Sequence, residues 1–168
     1  PELNLAGVAQ AHLLTETLRP LGMRIIYSSP LQRALQTAEI IGRELHIPVI
    51  VNNDLIEGNF GINEGQYHKD IILTEEYKNW RNLDAEYIHF RFEGGESKYE
   101  IMQRMFAAVS ALLETPEGVI GISSHSAAIR CLMLQFGLKM KRLENGALLR
   151  LTYNDGTWSV EEICDDSE

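Results

Sequence analysis

The sequence predicts an α/β protein: a three-layer α/β/α sandwich around a mostly parallel sheet. Two observations carry this. Short apolar strand patterns at residues 23–27, 48–51 and 119–122 alternate with longer stretches of helical periodicity. The stretches at 23–27 and 119–122 read as short buried strands. Strands separated by helices connect in parallel, which puts helices on both sides of the sheet.

Residues 4–19 predict the first helix. Gly7, Ala11, Leu14, Leu18 and Leu21 recur at helical spacing, and Asn4 suits the N-cap. The strand at 23–27 runs into Ser28-Ser29-Pro30, where Ser29 suits an N-cap and Pro30 the first helical position. The helix that follows extends to about Leu45, with Leu31, Ala34, Ala38, Ile41 and Leu45 as its apolar stripe. Residues 52–66 are turn-rich, and 67–82 are helical but weakly patterned. Gly94-Gly95 opens a helix over 96–113 with Ile101, Met105, Ala108 and Leu112 on one face. After the strand at 119–122, residues 123–126 form a turn and 127–136 a helix. Residues 147–163 read as a hairpin around Asn154-Asp155-Gly156, which adds an antiparallel strand or edge. There is no internal repeat or linker, so residues 1–168 read as one domain.

Composition excludes several classes. The 168 residues are 45% hydrophobic and 23% charged, the balance of a soluble globular domain. No apolar run reaches the roughly 18–20 residues a membrane span needs, and the first residues lack the features of a signal peptide. A formal net charge of -9 argues against nucleic acid as a partner, because duplex binding rests on basic residues. Cys131 and Cys164 are read as unpaired thiols, which favours the cytoplasm. No His or Cys pair has metal-ligand spacing, so neither metal nor cofactor is expected.

The two strand-to-helix junctions are alike. One carries Ser28-Ser29 and then Arg33; the other carries Ser123-Ser124-His125 and then Arg130. Ligands of open α/β sheets bind at the carboxyl ends of the strands, where helix N-termini offer free N–H groups to an anion. Arg33 and His125 are therefore candidates to face one anion site. Lys69, Lys78, Arg81 and Arg91, in the segment between Glu57 and Gly94, are candidates for a second anionic group.

The segment Ser28-Ser29-Pro30-Leu31-Gln32-Arg33-Ala34-Leu35-Gln36-Thr37-Ala38 closely resembles one from the histidine phosphatases, the phosphoglycerate mutase-like superfamily. Leu55-Ile56-Glu57-Gly58-Asn59-Phe60-Gly61, Gly94-Gly95-Glu96-Ser97 and Ser124-His125 are similar to three further motifs of that family, in the same order. The resemblance implies a phosphoglycerate mutase-like fold, with residues 58–95 as a cap. It implies that Arg33 and His125 bind the transferring phosphoryl group, with Ser126 offering a backbone N–H where the family commonly has glycine. Glu57 would donate a proton to the leaving oxygen, and the reaction would pass through a phosphohistidine. A raised carboxyl pKa suits that donor role.

The family's nucleophile lies in an Arg-His-Gly motif on its first strand, and this sequence contains no Arg-His-Gly. His12, His46, His68 and His89 stand in none of the expected contexts. Truncation of an active enzyme is favoured over a natively short, non-catalytic chain. Loss of a central strand would cost several kcal/mol against a total stability of roughly 5–15 kcal/mol. A strand-exchanged homodimer would offset that cost. The expected activity is phosphomonoester hydrolysis of a small phosphorylated metabolite. The alternatives are a phosphoglycerate mutase, or a phosphate-binding relative without turnover; the short chain and the Gly94-Gly95-Glu96-Ser97 motif favour the hydrolase over the mutase.

Overall fold

Ile25, Ile26 and Tyr27 alternate between two hydrophobic cores, and this places β1 (Ile25–Ser28) at the centre of the molecule. The structure, a computed structural model, describes residues 2–66, 68–140 and 143–163. In it β1 pairs in parallel with β2 (Val49–Val51) on one side and β3 (Ile120–Ser123) on the other. Ile26 points to the smaller core beneath α1 (Leu5–Leu18) and α2 (Gln32–Leu45), where it meets Ala38 and Ile41. Ile25 and Tyr27 point to the larger core beneath α5 (Lys98–Leu113) and α6 (Ser126–Leu134). The fold is the expected α/β sandwich.

Local chemistry accounts for the helix ends. Asn4 caps α1 by accepting from the Gly7 amide at 2.8 Å. Ser97 and Glu100 form a reciprocal capping box at the start of α5. The second helix departs from expectation. It starts at Gln32 with Leu31 as its N-cap, two residues later than the Ser-Pro pair suggests. The Ser29 hydroxyl still accepts from the Leu31 amide, but its main partner lies elsewhere, as described below.

The weakly patterned stretch is two short helices, α3 (His68–Ile71) and α4 (Glu75–Arg81). Trp80 of α4 is buried and meets Phe60 edge-on at 4.9 Å. Lys98 is 1% exposed; its Nζ donates to the Trp80 carbonyl at 2.6 Å, near the end of α4. Burial lowers the pKa of this ammonium to about 8. Cys131 is a buried free thiol, its pKa pushed up to about 12 by desolvation, which disfavours the reactive thiolate. Cys164 lies outside the described residues.

The hairpin forms, but not as part of the main sheet. β4 (Leu148–Asn154) and β5 (Thr157–Ile163) make a separate two-stranded sheet. Its turn places Asp155 and Gly156 at φ 48° and 82°, the doubly left-handed geometry of a tight hairpin. Between β3 and β4 runs a cleft of about 600 Å³, with Met23, Ile26 and Ile41 on one wall and Leu113 and Ile129 also lining it. Among the described residues the edge of β3 away from β1 has no strand partner.

Two glycines separate conformational strain from collision. Gly61 and Gly118 both have left-handed φ, 54° and 78°. A Cβ on Gly118 meets nothing within 4 Å, whereas one on Gly61 would lie 2.0 Å from the Glu93 carbonyl oxygen. Gly118→Ala should therefore cost about 1–2 kcal/mol. Gly61→Ala should cost clearly more, on the order of 3 kcal/mol or above, because it displaces backbone. Urea denaturation of both variants checks this; equal midpoints would refute the collision.

Candidate active site

The carboxyl ends of the three parallel strands lie side by side, and hydroxyls stitch together the loops that leave them. The Ser29 amide donates to the Ser123 carbonyl at 2.9 Å, and the Asn52 amide to the Ser28 carbonyl at 2.8 Å. The Ser123 hydroxyl donates to the Ala34 carbonyl of α2, and the Ser124 hydroxyl to the Leu55 carbonyl beside Glu57. Three loops distant in sequence are thereby held in one register.

They enclose a cavity of about 600 Å³ whose lining includes Arg33, Glu57, Ser124, His125 and Ser126. The structure thus brings together all four residues singled out by sequence. Arg33 comes from the first turn of α2 and is half-buried. No ion pair to it is found among the described residues, in a chain of net charge -9. His125 is the N-cap of α6 and is 5% exposed. Its Nε2 lies 2.7 Å from the Ser29 hydroxyl, the contact that draws Ser29 away from helix capping. Burial, then the Arg33 charge, lowers its pKa to about 4, so the ring is neutral at neutral pH.

Because the His125 side chain turns away, α6 has no cap from its own N-cap residue. Glu57 takes that place. Its Oε1 accepts from the Ala128 amide at 2.9 Å and from its neighbour Gly58 at 3.0 Å; Oε2 accepts from Ala127 at 3.4 Å. The Ala127 and Ala128 amides are donors that a helix leaves unsatisfied at its start, and a carboxylate suits the positive end of the helix dipole.

Three of the four cationic residues expected to meet a second anionic group, Lys78, Arg81 and Arg91, do not line the cavity. Lys78 pairs with Glu75, Arg91 pairs with Glu100, and Arg81 lies over the Tyr77 ring. The side chain of Lys69 lies outside the described residues. Sequence reasoning missed Arg104, whose guanidinium binds the backbone carbonyls of the Glu57 loop. Its partners are backbone carbonyls and a carboxylate that precedes the helix, so no local spacing rule marks it.

A family model for the histidine phosphatase superfamily (branch 1) matches residues 1–166. The chain belongs to that superfamily. The probable phosphoglycerate mutases GpmB of Yersinia pestis (strain Pestoides F) and Yersinia pseudotuberculosis (serotype O:1b, strain IP 31758) are 34% identical to it over 160 residues, 90% of this chain and 74% of each relative. Bacillus stearothermophilus YhfR superposes with a TM-score of 0.81 at 24% identity, covering 95% of this chain and 83% of its own. The mycobacterial glucosyl-3-phosphoglycerate phosphatase Rv2419c, in complex with inorganic phosphate, gives a TM-score of 0.80 at 23% identity, over 95% and 86%. The α-ribazole phosphatase of Shigella flexneri gives 0.77 at 24%, over 96% and 83%. At these identities the structures establish the histidine phosphatase fold. No helix among the described residues is long and apolar enough to cross a membrane.

In this histidine phosphatase chain His125 is the histidine among the cavity's lining residues. Elsewhere, His12 pairs with Glu44, His46 closes α2 in a left-handed turn, and His89 packs on the Tyr99 ring.

The lowered pKa of His125 makes a pH-dependent stability. Above its ordinary value of 6.5 the ring is neutral whether folded or unfolded, and contributes no slope. Below 6.5 the unfolded chain takes up a proton that the folded ring refuses until about 4, so stability falls as pH drops through that window. The loss attributable to this ring is up to roughly 3 kcal/mol. Urea unfolding of His125→Asn from pH 7 to 4 should show a slope smaller by that amount. An unchanged slope would show that the ring titrates normally.

Proposed function

We propose that this chain is the greater part of a phosphomonoester hydrolase that works through a phosphohistidine on a small phosphorylated metabolite. The observation that carries the reading is Arg33: a permanent charge lining a cavity with no ion pair among the described residues, beside a neutral buried imidazole. A guanidinium offers two parallel donors to phosphate oxygens, and a neutral imidazole can donate a third hydrogen bond without repelling Arg33. The Ser126 backbone at the start of α6 adds to the same anion site.

In the first step a histidine nitrogen attacks phosphorus; the N–P bond forms as the P–O bond to the leaving group breaks. Glu57 gives its proton to the departing oxygen. Its Oε2, held only by the longer bond to Ala127, is the oxygen with room to carry that proton. In the second step water attacks phosphorus, the N–P bond breaks, and Glu57 takes the water's proton as inorganic phosphate forms. Charge on the transferring group is carried by Arg33 and His125 throughout, which is where phosphoryl transfer gains most of its rate.

We assign the attacking histidine to a strand outside the 168 residues. The cleft between β3 and β4 supports this placement. It is apolar, flanked by two strands, and continuous with the cavity through Thr37, Ser124, Ile129 and Ala147, which line both. A strand paired to β3 there and running parallel to it would end at His125. The buried free thiol of Cys131 supports a reducing, cytoplasmic setting. The mutase reading has one observation in its favour, the 34% identity to probable phosphoglycerate mutases. The two readings part on whether water or a phosphoglycerate accepts the phosphoryl group.

The test is p-nitrophenyl phosphate turnover at mildly acidic pH without added metal. The 168-residue chain is compared with a form carrying the upstream coding sequence. Turnover in the longer form alone is the expected result, and Arg33→Ala in that form should lower kcat/KM by at least a hundredfold, about 3 kcal/mol of transition-state stabilisation. Turnover by the shorter chain would displace the assignment of the nucleophile. An Arg33→Ala variant with an unaltered rate would displace the phosphate site.

A further inference from the structure

We propose that Arg104 and Glu96 form a positioning pair that sets the catalytic geometry of Glu57. This rests on the reading of Glu57 as proton donor. The loop from Asp54 to Asn59 leaves the sheet with no strand beside it, so its carbonyls need donors from elsewhere. Arg104 supplies them from α5. Its Nη1 donates to the Asp54 carbonyl at 2.7 Å and the Ile56 carbonyl at 3.0 Å, and its Nη2 reaches the Glu57 carbonyl at 3.5 Å. Its Nε and Nη2 also grip Glu96 Oε1 and Oε2, both at 3.0 Å. Glu96 completes the clamp from the other side. Its Oε2 accepts from the Asn59 amide at 2.9 Å, and its own amide donates to the Asn59 carbonyl at 2.8 Å.

The backbone on both flanks of Glu57 is thus held by one ion pair whose side chains are 19% and 26% exposed. The fit depends on a planar fork of donors. A lysine ammonium in its place is a single point on a flexible stem and cannot hold three carbonyls and a carboxylate together. Gly58 adds a second restraint: a Cβ there would lie 2.6 Å from Ile101 Cδ1, so the loop lies flat on α5. With the backbone fixed, the Glu57 carboxylate is held at the start of α6, against the Ala127 and Ala128 amides. A small shift of the loop takes the carboxyl off the leaving oxygen, since proton transfer demands hydrogen-bond distance.

The Ala128 amide reports on this directly. It sits in the first turn of α6, so Glu57 rather than a helical carbonyl protects it. The experiment is amide hydrogen exchange at Ala128 in the wild-type chain, Arg104→Lys, Glu96→Gln and Glu57→Ala. Ile41→Val, in the other core, is the control for a general loss of stability. Arg104→Lys should exchange at least tenfold faster at Ala128, approaching Glu57→Ala, with Glu96→Gln between; Ile41→Val should not move it. Glu96→Gln keeps the test open if Arg104→Lys fails to fold. Ala128 protection in the Arg104 and Glu96 variants no weaker than in Ile41→Val would overturn the proposal.

Kinetics of the form that turns over p-nitrophenyl phosphate separate this inference from the reading beneath it. Arg104→Lys should lower kcat for glycerol phosphate, whose alkoxide needs a proton to leave, at least tenfold more than for p-nitrophenyl phosphate, with little change in KM. Loss of Ala128 protection together with equal falls on both esters would overturn the proton-donor role of Glu57 while leaving the clamp intact.

Discussion

The bond from the Ala128 amide to the Glu57 carboxylate, at 2.9 Å, is where the local needs of three elements meet. A helix N-terminus must find acceptors for its first amides. In α6 the residue placed to supply one is His125, and its ring is committed to Ser29 across the junction with β1. The cap must therefore come from outside the helix, and the loop after β2 delivers it. Moving Glu57 strands helical donors; moving His125 strands the buried Ser29 hydroxyl. Each contact is a modest hydrogen bond of about 1 kcal/mol net, but leaving its buried partner unsatisfied costs more, about 1–3 kcal/mol. That asymmetry resists separation of the three loops.

The sheet provides the frame for this arrangement. Parallel strands end together at one edge, and here the carboxyl ends of β1 and β3 carry serine pairs whose backbone and hydroxyl groups cross-link the exits. Ser28 and Ser29 are both 0% exposed, which is tolerable for hydroxyls only because each has a partner. Small side chains matter as much as polar ones. Gly61 lies under the Glu93 carbonyl and Gly58 under Ile101, so the segment carrying Glu57 is pressed against both the Glu93 backbone and α5. The loop owes its shape to close approach on one face and to Arg104 on the other.

Much of this was legible in the sequence, and the reasons for the remainder are physical. The apolar strands and the stripe Ala34, Ala38, Ile41 specify the layers because burial on a periodic face leaves a periodic trace. Asp155-Gly156 specifies the hairpin turn because few residues accept its dihedrals. Arg33 and His125 could be singled out because they follow strand ends, and Glu57 and Ser126 because they stand in motifs that resemble the family's. The start of α2 was misjudged because Ser29 satisfies a partner 96 positions away, which a local capping rule does not weigh. The separation of the hairpin from the main sheet was hidden because strand neighbours across a sheet leave no mark in either strand's own pattern. Arg104 was hidden because its acceptors are backbone carbonyls, which every residue has. The burial of Lys98 was hidden because it depends on the end of α4 folding over it, a contact distant in sequence.

Electrostatics gives the site its direction. An acidic chain repels a phosphorylated ligand everywhere except where positive potential is concentrated. At the cavity Arg33 and the start of α6 are positive, with nothing acidic paired to Arg33 among the described residues, while Glu2 and Glu144 also line it. Glu57 is the one carboxylate of the motif set inside, and in this structure it rests on the very amides that favour an anion. An incoming phosphoryl group competes with it for positive potential. On the proposed reading the clamp on the Glu57 backbone then matters, because it keeps the side chain from relieving that repulsion by swinging out to solvent.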